Sequence, residues 1–178
     1  DLPTEGQTTL FPEKMKSLEI GISIVNKPKG IPDIDQIEFQ GSFFRNDYTD
    51  KMRVTYLLGM PVGYYDNVGL ANMVGYEGNA KFKIYNGLMV AEAGFSKYNL
   101  SDLSVFPFKS TYKLTGKVTG EWKFISFGYR WFRESEQIGW ILLPREEFKE
   151  IELPSFSNYD LNMTFDLNVG PIKGQLSY

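Results

Sequence analysis

The side chains best suited to chemistry in this sequence are a guanidinium and a phenol. Arg130 lies in the run Glu121-Trp122-Lys123-Phe124-Ile125-Ser126-Phe127-Gly128-Tyr129-Arg130-Trp131-Phe132, where large apolar residues occupy both parities of an extended segment. If Arg130 points inward it must be paired or must bind an anion such as a carboxylate or enolate, because an isolated buried charge is strongly unfavourable. The alternative is a strand-end position, with its stem over a tryptophan and its head in water. Tyr56, between Thr55 and Leu57, offers a hydroxyl that could polarise a carbonyl. Trp122 and Phe124 complete a candidate ligand-binding set by supplying apolar walls. Such a set could guide an isomerisation or cyclisation by holding a flexible substrate in a reactive fold.

Histidine and cysteine are both absent. Their absence removes thiolate nucleophiles, Ser-His and Cys-His pairs, iron–sulfur ligation and the usual zinc and haem ligands. No catalytic residue can be assigned, and no cofactor or metal is expected. Asp47 and Asp50 flank Tyr48-Thr49, but the segment lacks the ligand count and glycine placement of a calcium loop, so a polar hairpin loop is expected there. Lys109, Lys113 and Lys117 share a parity with Thr111 and Thr115, the pattern of a wet strand face rather than of a desolvated Schiff-base lysine. Gly69, Gly75 and Gly78 are spaced wrongly for a dinucleotide fingerprint.

Positioning these residues is the task of strands. From Tyr159 to Val169 apolar and polar residues alternate without error, and similar alternation recurs from Leu18 onward. Strand-like runs are expected at 18–25, 36–44, 52–60, 68–76, 80–85, 88–95, 105–118, 122–132, 138–143, 159–169 and 172–178. Asn86-Gly87 calls for a type I′ hairpin, whose register places Lys81 opposite Glu92 as a cross-strand ion pair on the wet side. The other side of that hairpin carries Ala80, Phe82, Ile84, Met89, Ala91, Ala93 and Phe95, which would face an interior. Other bends are expected at Lys27-Pro28-Lys29-Gly30, Asn46-Asp47 and Val169-Gly170-Pro171, and one short helix at Pro144–Lys149.

With 178 residues and a formal net charge of -3, the chain fits one domain and offers phosphate backbones no long-range attraction, so no nucleic-acid partner is expected. No apolar run reaches the roughly 20 residues of a membrane-spanning helix. Residues 1–14 read as an extended arm, rich in turn formers, and 15–178 as a single β-barrel domain. The start at Asp1 rather than Met fits a processed product and favours an extracytoplasmic or secreted location. Gly120-Glu121-Trp122 resembles the short glycine and tryptophan motif near the start of lipocalins, but it lies in the last third of this chain and transfers no site.

The fold class expected is therefore all-β, a single antiparallel calycin-like barrel, with a two-sheet sandwich as second choice. The barrel would enclose a small, mostly apolar molecule. The sandwich would be a secreted or surface module that dimerises or binds a protein partner through the doubly apolar 122–132 strand. A third expectation is a bacterial outer-membrane barrel, suggested by the shared parity of Ile172, Gly174, Leu176 and Tyr178. Against it stands the lysine face, whose cations would crowd a narrow lumen.

Overall fold

The computed structural model describes residues 10–31, 33–58, 63–143, 148–169 and 172–177. The chain forms an all-β fold. Its strands are β1 (Lys14–Asn26), β2 (Ile34–Thr49), β3 (Met52–Leu57), β4 (Gly63–Asn67), β5 (Ala71–Ile84), β6 (Met89–Leu100), β7 (Tyr112–Trp122), β8 (Ile125–Glu134), β9 (Gln137–Leu142), β10 (Phe148–Leu153), β11 (Phe156–Val169) and β12 (Ile172–Ser177). Among the described residues a single 3₁₀ turn, Leu103–Val105, interrupts them. Eight strands form one antiparallel sheet in the order β1-β2-β5-β6-β7-β8-β11-β12, and β10-β9-β3-β4 form a second.

The large sheet is open. β1 and β12 end it, each with one neighbour, so the closed calycin-like barrel is not formed by these strands. Nor do the sheets stack as a sandwich. The solvent-accessible surface is 12876 Å² for 20.4 kDa, where a compact chain of that mass exposes about 8,800 Å². Among the described residues the only buried apolar side chains are Ala71 and Val105.

Asn86-Gly87 sets the β5–β6 hairpin as its sequence requires. Both residues have positive φ, 57° and 80°, and the register runs through Ile84↔Met89 to Lys81↔Glu92. A reversal that carries no glycine or proline is the Lys123-Phe124 turn, where Lys123 takes φ 55° and Trp122 pairs with Ile125. The doubly apolar 122–132 strand is thus two strands. Trp122 and the Ile125, Phe127, Tyr129, Trp131 series share one face because the chain turns back between them. Glu77-Gly78-Asn79 continues β5 rather than breaking it, and Asn46-Asp47 lies inside β2. Val105–Thr111 is a 3₁₀ turn and loop, so β7 starts at Tyr112. Phe148 and Lys149 begin β10 instead of ending a helix. Residues 144–147 of that expected helix, 1–9 of the expected arm, the turn residues Gly170 and Pro171, and Tyr178 lie outside the described residues.

The connections differ between the two ends of the large sheet. At one end they span 27–33, 85–88, 123–124 and 170–171; at the other, 50–70, 101–111 and 135–155. The three longer ones build the second sheet and the 3₁₀ turn, which together cap that end. β3 and β9, from different connections, pair in parallel at Tyr56↔Ile141 and Leu57↔Leu142.

The tight turns are also staggered. Ile37, opposite Asn26, faces Phe82, two residues short of Ile84; Met89 faces Gly120, two residues short of Trp122; Ile125 faces Phe165, four residues short of Val169. A progressive shift in one sense is the shear that tilted strands need in order to curl around an axis.

Where the cap joins the sheet, Ser135 is fully buried. Its hydroxyl accepts hydrogen bonds from the Thr111 and Tyr112 amides at 2.9 and 3.3 Å and donates to the Glu136 carbonyl at 3.1 Å. Ser135→Ala strands these amides away from water and is expected to cost about 1–3 kcal/mol. Amide hydrogen exchange should speed up at 111–112 before the strand interiors respond.

Candidate functional site

The candidate functional features are the two unlike faces of the large sheet. Pairing places Ile20, Phe43, Tyr76 and Lys97 in one row, and Phe82, Ala91, Val118, Tyr129 and Leu161 in another. This face is apolar and uncovered: Ile20 is 63% exposed, Phe95 49% and Leu161 62%. Along β6 exposed residues alternate with less exposed ones, and Ala93, Phe95 and Lys97 on the apolar face are the exposed set. Phenyl rings there lie over glycines of the neighbouring strand, Phe95 over Gly78 and Phe127 over Gly120, so the absent side chains give room for flat packing along the sheet.

The opposite face is polar and charged. Glu38, Lys81, Glu92, Lys117, Arg130 and Asp160 follow one another in register across six strands. Lys81 Nζ lies 3.2 Å from Glu92, Lys83 Nζ lies 3.6 Å from Glu38, and Lys113 pairs with Glu134. Tyr98 donates its hydroxyl hydrogen to Glu77 at 2.9 Å. An open hollow of about 620 Å³ lies on this face, lined by Glu19, Gln40, Glu77, Asn79, Lys113 and Thr115 among others. The lysines that were expected to crowd a lumen are interleaved with carboxylates.

The four residues singled out from sequence do not meet. Arg130 is an exposed member of the charged row, between Lys117 and Asp160. Trp122 and Phe124, 59% and 51% exposed, sit at the tight-turn end, and the Lys123 ammonium lies 4.8 Å from the Trp122 ring. Tyr56 belongs to β3 in the cap, its ring 6.3 Å from Phe108. The hairpin residues expected to face an interior line the uncovered face instead, because the sheet does not close around them. The enclosed apolar site is accordingly not formed by the described residues. The charged row was visible in sequence only at Lys81 and Glu92, since the rest depends on registers that no local turn specifies.

The segment before β1 is tied to the cap. Phe11 and Asn67 exchange hydrogen bonds at 2.8 and 3.0 Å, and Glu13 accepts from Lys51 Nζ and the Met52 amide, both at 2.9 Å. Burial pushes the Glu13 carboxyl up, but the bonds from Lys51 and Met52 and the lysine charge outweigh it and hold the group below the usual glutamate range.

No protein-family model matches the sequence, and no curated protein does. Solved structures share the fold. They include the copper transporter OprC (17% identity, TM-score 0.59, 90% of this chain and 24% of that one). The siderophore receptor PirA from Acinetobacter baumannii matches at 15% identity and TM-score 0.61, over 94% of this chain and 27% of that one. The FrpB iron transporter from Neisseria meningitidis matches at 17% and 0.57, over 86% and 23%. The chain spans about a quarter of the length of each.

Two outcomes are expected. Glu92→Lys sets like charges side by side with Lys81 and Lys117 and should lower stability by about 1 kcal/mol at low salt, with the loss shrinking as salt is added. A carboxyl held below its ordinary range stabilises above that range and loses its contribution as pH falls through the lowered value. Amide protection at Phe11 and Met52, corrected for the intrinsic pH dependence of exchange, should therefore fall on acidification through and below the usual glutamate range, and Glu13→Gln should abolish that pH step.

Proposed function

We propose that this chain is part of the wall of a β-barrel that crosses an outer membrane, with its apolar face against lipid and its charged face toward the interior. The uncovered apolar face carries the reading. In water, an exposed apolar patch beyond a few hundred Å² is unusual and marks an interface; against hydrocarbon it is the expected surface. The strands of the large sheet other than β12 have 10–16 residues, and about 9–11 tilted residues cross a bilayer. Short turns at one end and long connections at the other are the usual asymmetry of such barrels, and the long ones then face outward. The staggered register supports closure, with the rest of the wall supplied by strands that join the free edges of β1 and β12.

The protein so read is a transporter or receptor whose cargo is a metal ion or metal chelate. That class rests on the likeness to the copper transporter, the siderophore receptor and the iron transporter. The cap would lie at the entrance, and the row from Glu38 to Asp160 would line the path.

Nitroxide labels test the wall in the membrane-embedded protein. Labels at Ile22 and Leu161 should be relaxed by oxygen and shielded from a water-soluble nickel chelate; labels at Ser42 and Thr115 should show the reverse. Equal exposure of both pairs to the chelate refutes the reading.

A further inference from the structure

Among the described residues, basic side chains on the apolar face occur only toward the long connections. Lys16, Arg45, Lys97 and Arg133 belong to that face and are all exposed, with Lys14, also exposed, two residues further from the turns on β1. From this line to the tight turns, the described residues of the apolar face include no charged side chain.

Their alignment is more specific than their number. Lys16 faces Asp47, two residues above Arg45. Arg45 faces Val74, and two residues on is Tyr76, which faces Lys97. Lys97 faces Tyr112, and two residues on is Leu114, which faces Arg133. The cations thus step six residues toward the turns over the five strand intervals from β1 to β8. At about 3.3 Å per residue and 4.8 Å between strands, that line is inclined by about 40° to the strand perpendicular, within the 35–45° tilt of membrane barrels. It runs in the same sense as the staggered turns.

With the strands tilted by that angle, the four cations stand at one depth. Tyr112 on β7 and Tyr159 on β11 fall within about one residue of the same line and Tyr76 on β5 within about two, so each of the seven longer strands contributes a member at or near it. The distance from this line to the turns is eight residues along β6 and ten along β1, or about 20–25 Å of tilted strand, the height of the apolar band of an outer-membrane barrel.

We propose that this belt of cations and tyrosines binds the phosphate groups of anionic lipids in the leaflet next to the long connections. The proposal rests on the membrane-wall reading. Charge complementarity selects the occupant: among the described residues these four cations, with Lys14 two residues beyond Lys16, face one carboxylate nearby on that face, Asp47, which pairs with Arg45 Nε at 3.0 Å. Lys16, Lys97 and Arg133 are left to meet phosphate oxygens at the level where hydrocarbon gives way to headgroups, and the tyrosines present an apolar ring below and a hydroxyl above.

The test is lipid selection by the whole protein in nanodiscs made from equal parts phosphatidylglycerol and phosphatidylcholine, read by native mass spectrometry of the retained lipids. The unaltered protein should retain phosphatidylglycerol preferentially, less so as ionic strength rises. The combined variant Lys16→Gln, Lys97→Gln, Arg133→Gln should lose the preference, by roughly fivefold per cation removed. The charge-conserving set Lys16→Arg, Lys97→Arg, Arg133→Lys should keep it. Equal retention of both lipids by the unaltered protein, or undiminished preference in the glutamine variant, overturns the belt while labels at Ile22 and Leu161 still report lipid. Failure of those labels to meet lipid overturns the wall reading and the belt together.

Discussion

An antiparallel strand must send alternate side chains to opposite faces, and here that rule separates hydrocarbon from charge across the seven longer strands of the large sheet. Everything else follows from the need to cover the apolar side. With only Ala71 and Val105 as buried apolar side chains among the described residues, the sheet has no interior of its own to hide it in. The backbone ladder supplies cohesion, and on the proposed reading the surroundings supply the burial. A lipid phase satisfies that requirement without a second protein layer, provided that backbone groups are paired along every strand and the sheet curls. The stagger of the turns is the geometric counterpart of that curl.

The polar face has the opposite problem, many charges brought close together. Alternation of sign along Glu38, Lys81, Glu92, Lys117, Arg130 and Asp160 relieves it, with Lys117 beside Arg130 as the one like pair. The cap is held differently again. Ser135, the Tyr48–Phe106 ring pair at 5.7 Å and the Lys51 ammonium 4.9 Å from the Tyr48 ring fasten loops of distant sequence to one end of the sheet. A hollow of about 240 Å³ in the cap, beside Arg53, Thr55 and Trp140, is smaller than the hollow on the charged face.

Much of this was legible residue by residue. Asn86-Gly87 fixed a register that carried Lys81 to Glu92, because positive φ at two successive positions leaves few alternatives. The Lys123-Phe124 turn was illegible, since neither residue favours a bend and the apolar run continues through it. β4, Gly63-Tyr64-Tyr65-Asp66-Asn67, shows no alternation, and the start of β10 follows a proline and acidic residues that read as a helix start. The deepest ambiguity concerned the environment: a two-residue period specifies one dry face, and a protein core and a lipid phase both satisfy it. Arg130, Tyr56, Trp122 and Phe124 were grouped by chemical aptitude, whereas their places are set by strand pairings far along the chain.

The three tryptophans allow the most direct test. Trp122 and Trp131 belong to the apolar face and Trp140 to the cap. In single-tryptophan variants of the membrane-embedded protein, lipids brominated on their acyl chains should quench Trp122 and Trp131 and leave Trp140 bright. Quenching of all three alike, or of none, would contradict a sheet whose apolar face meets lipid.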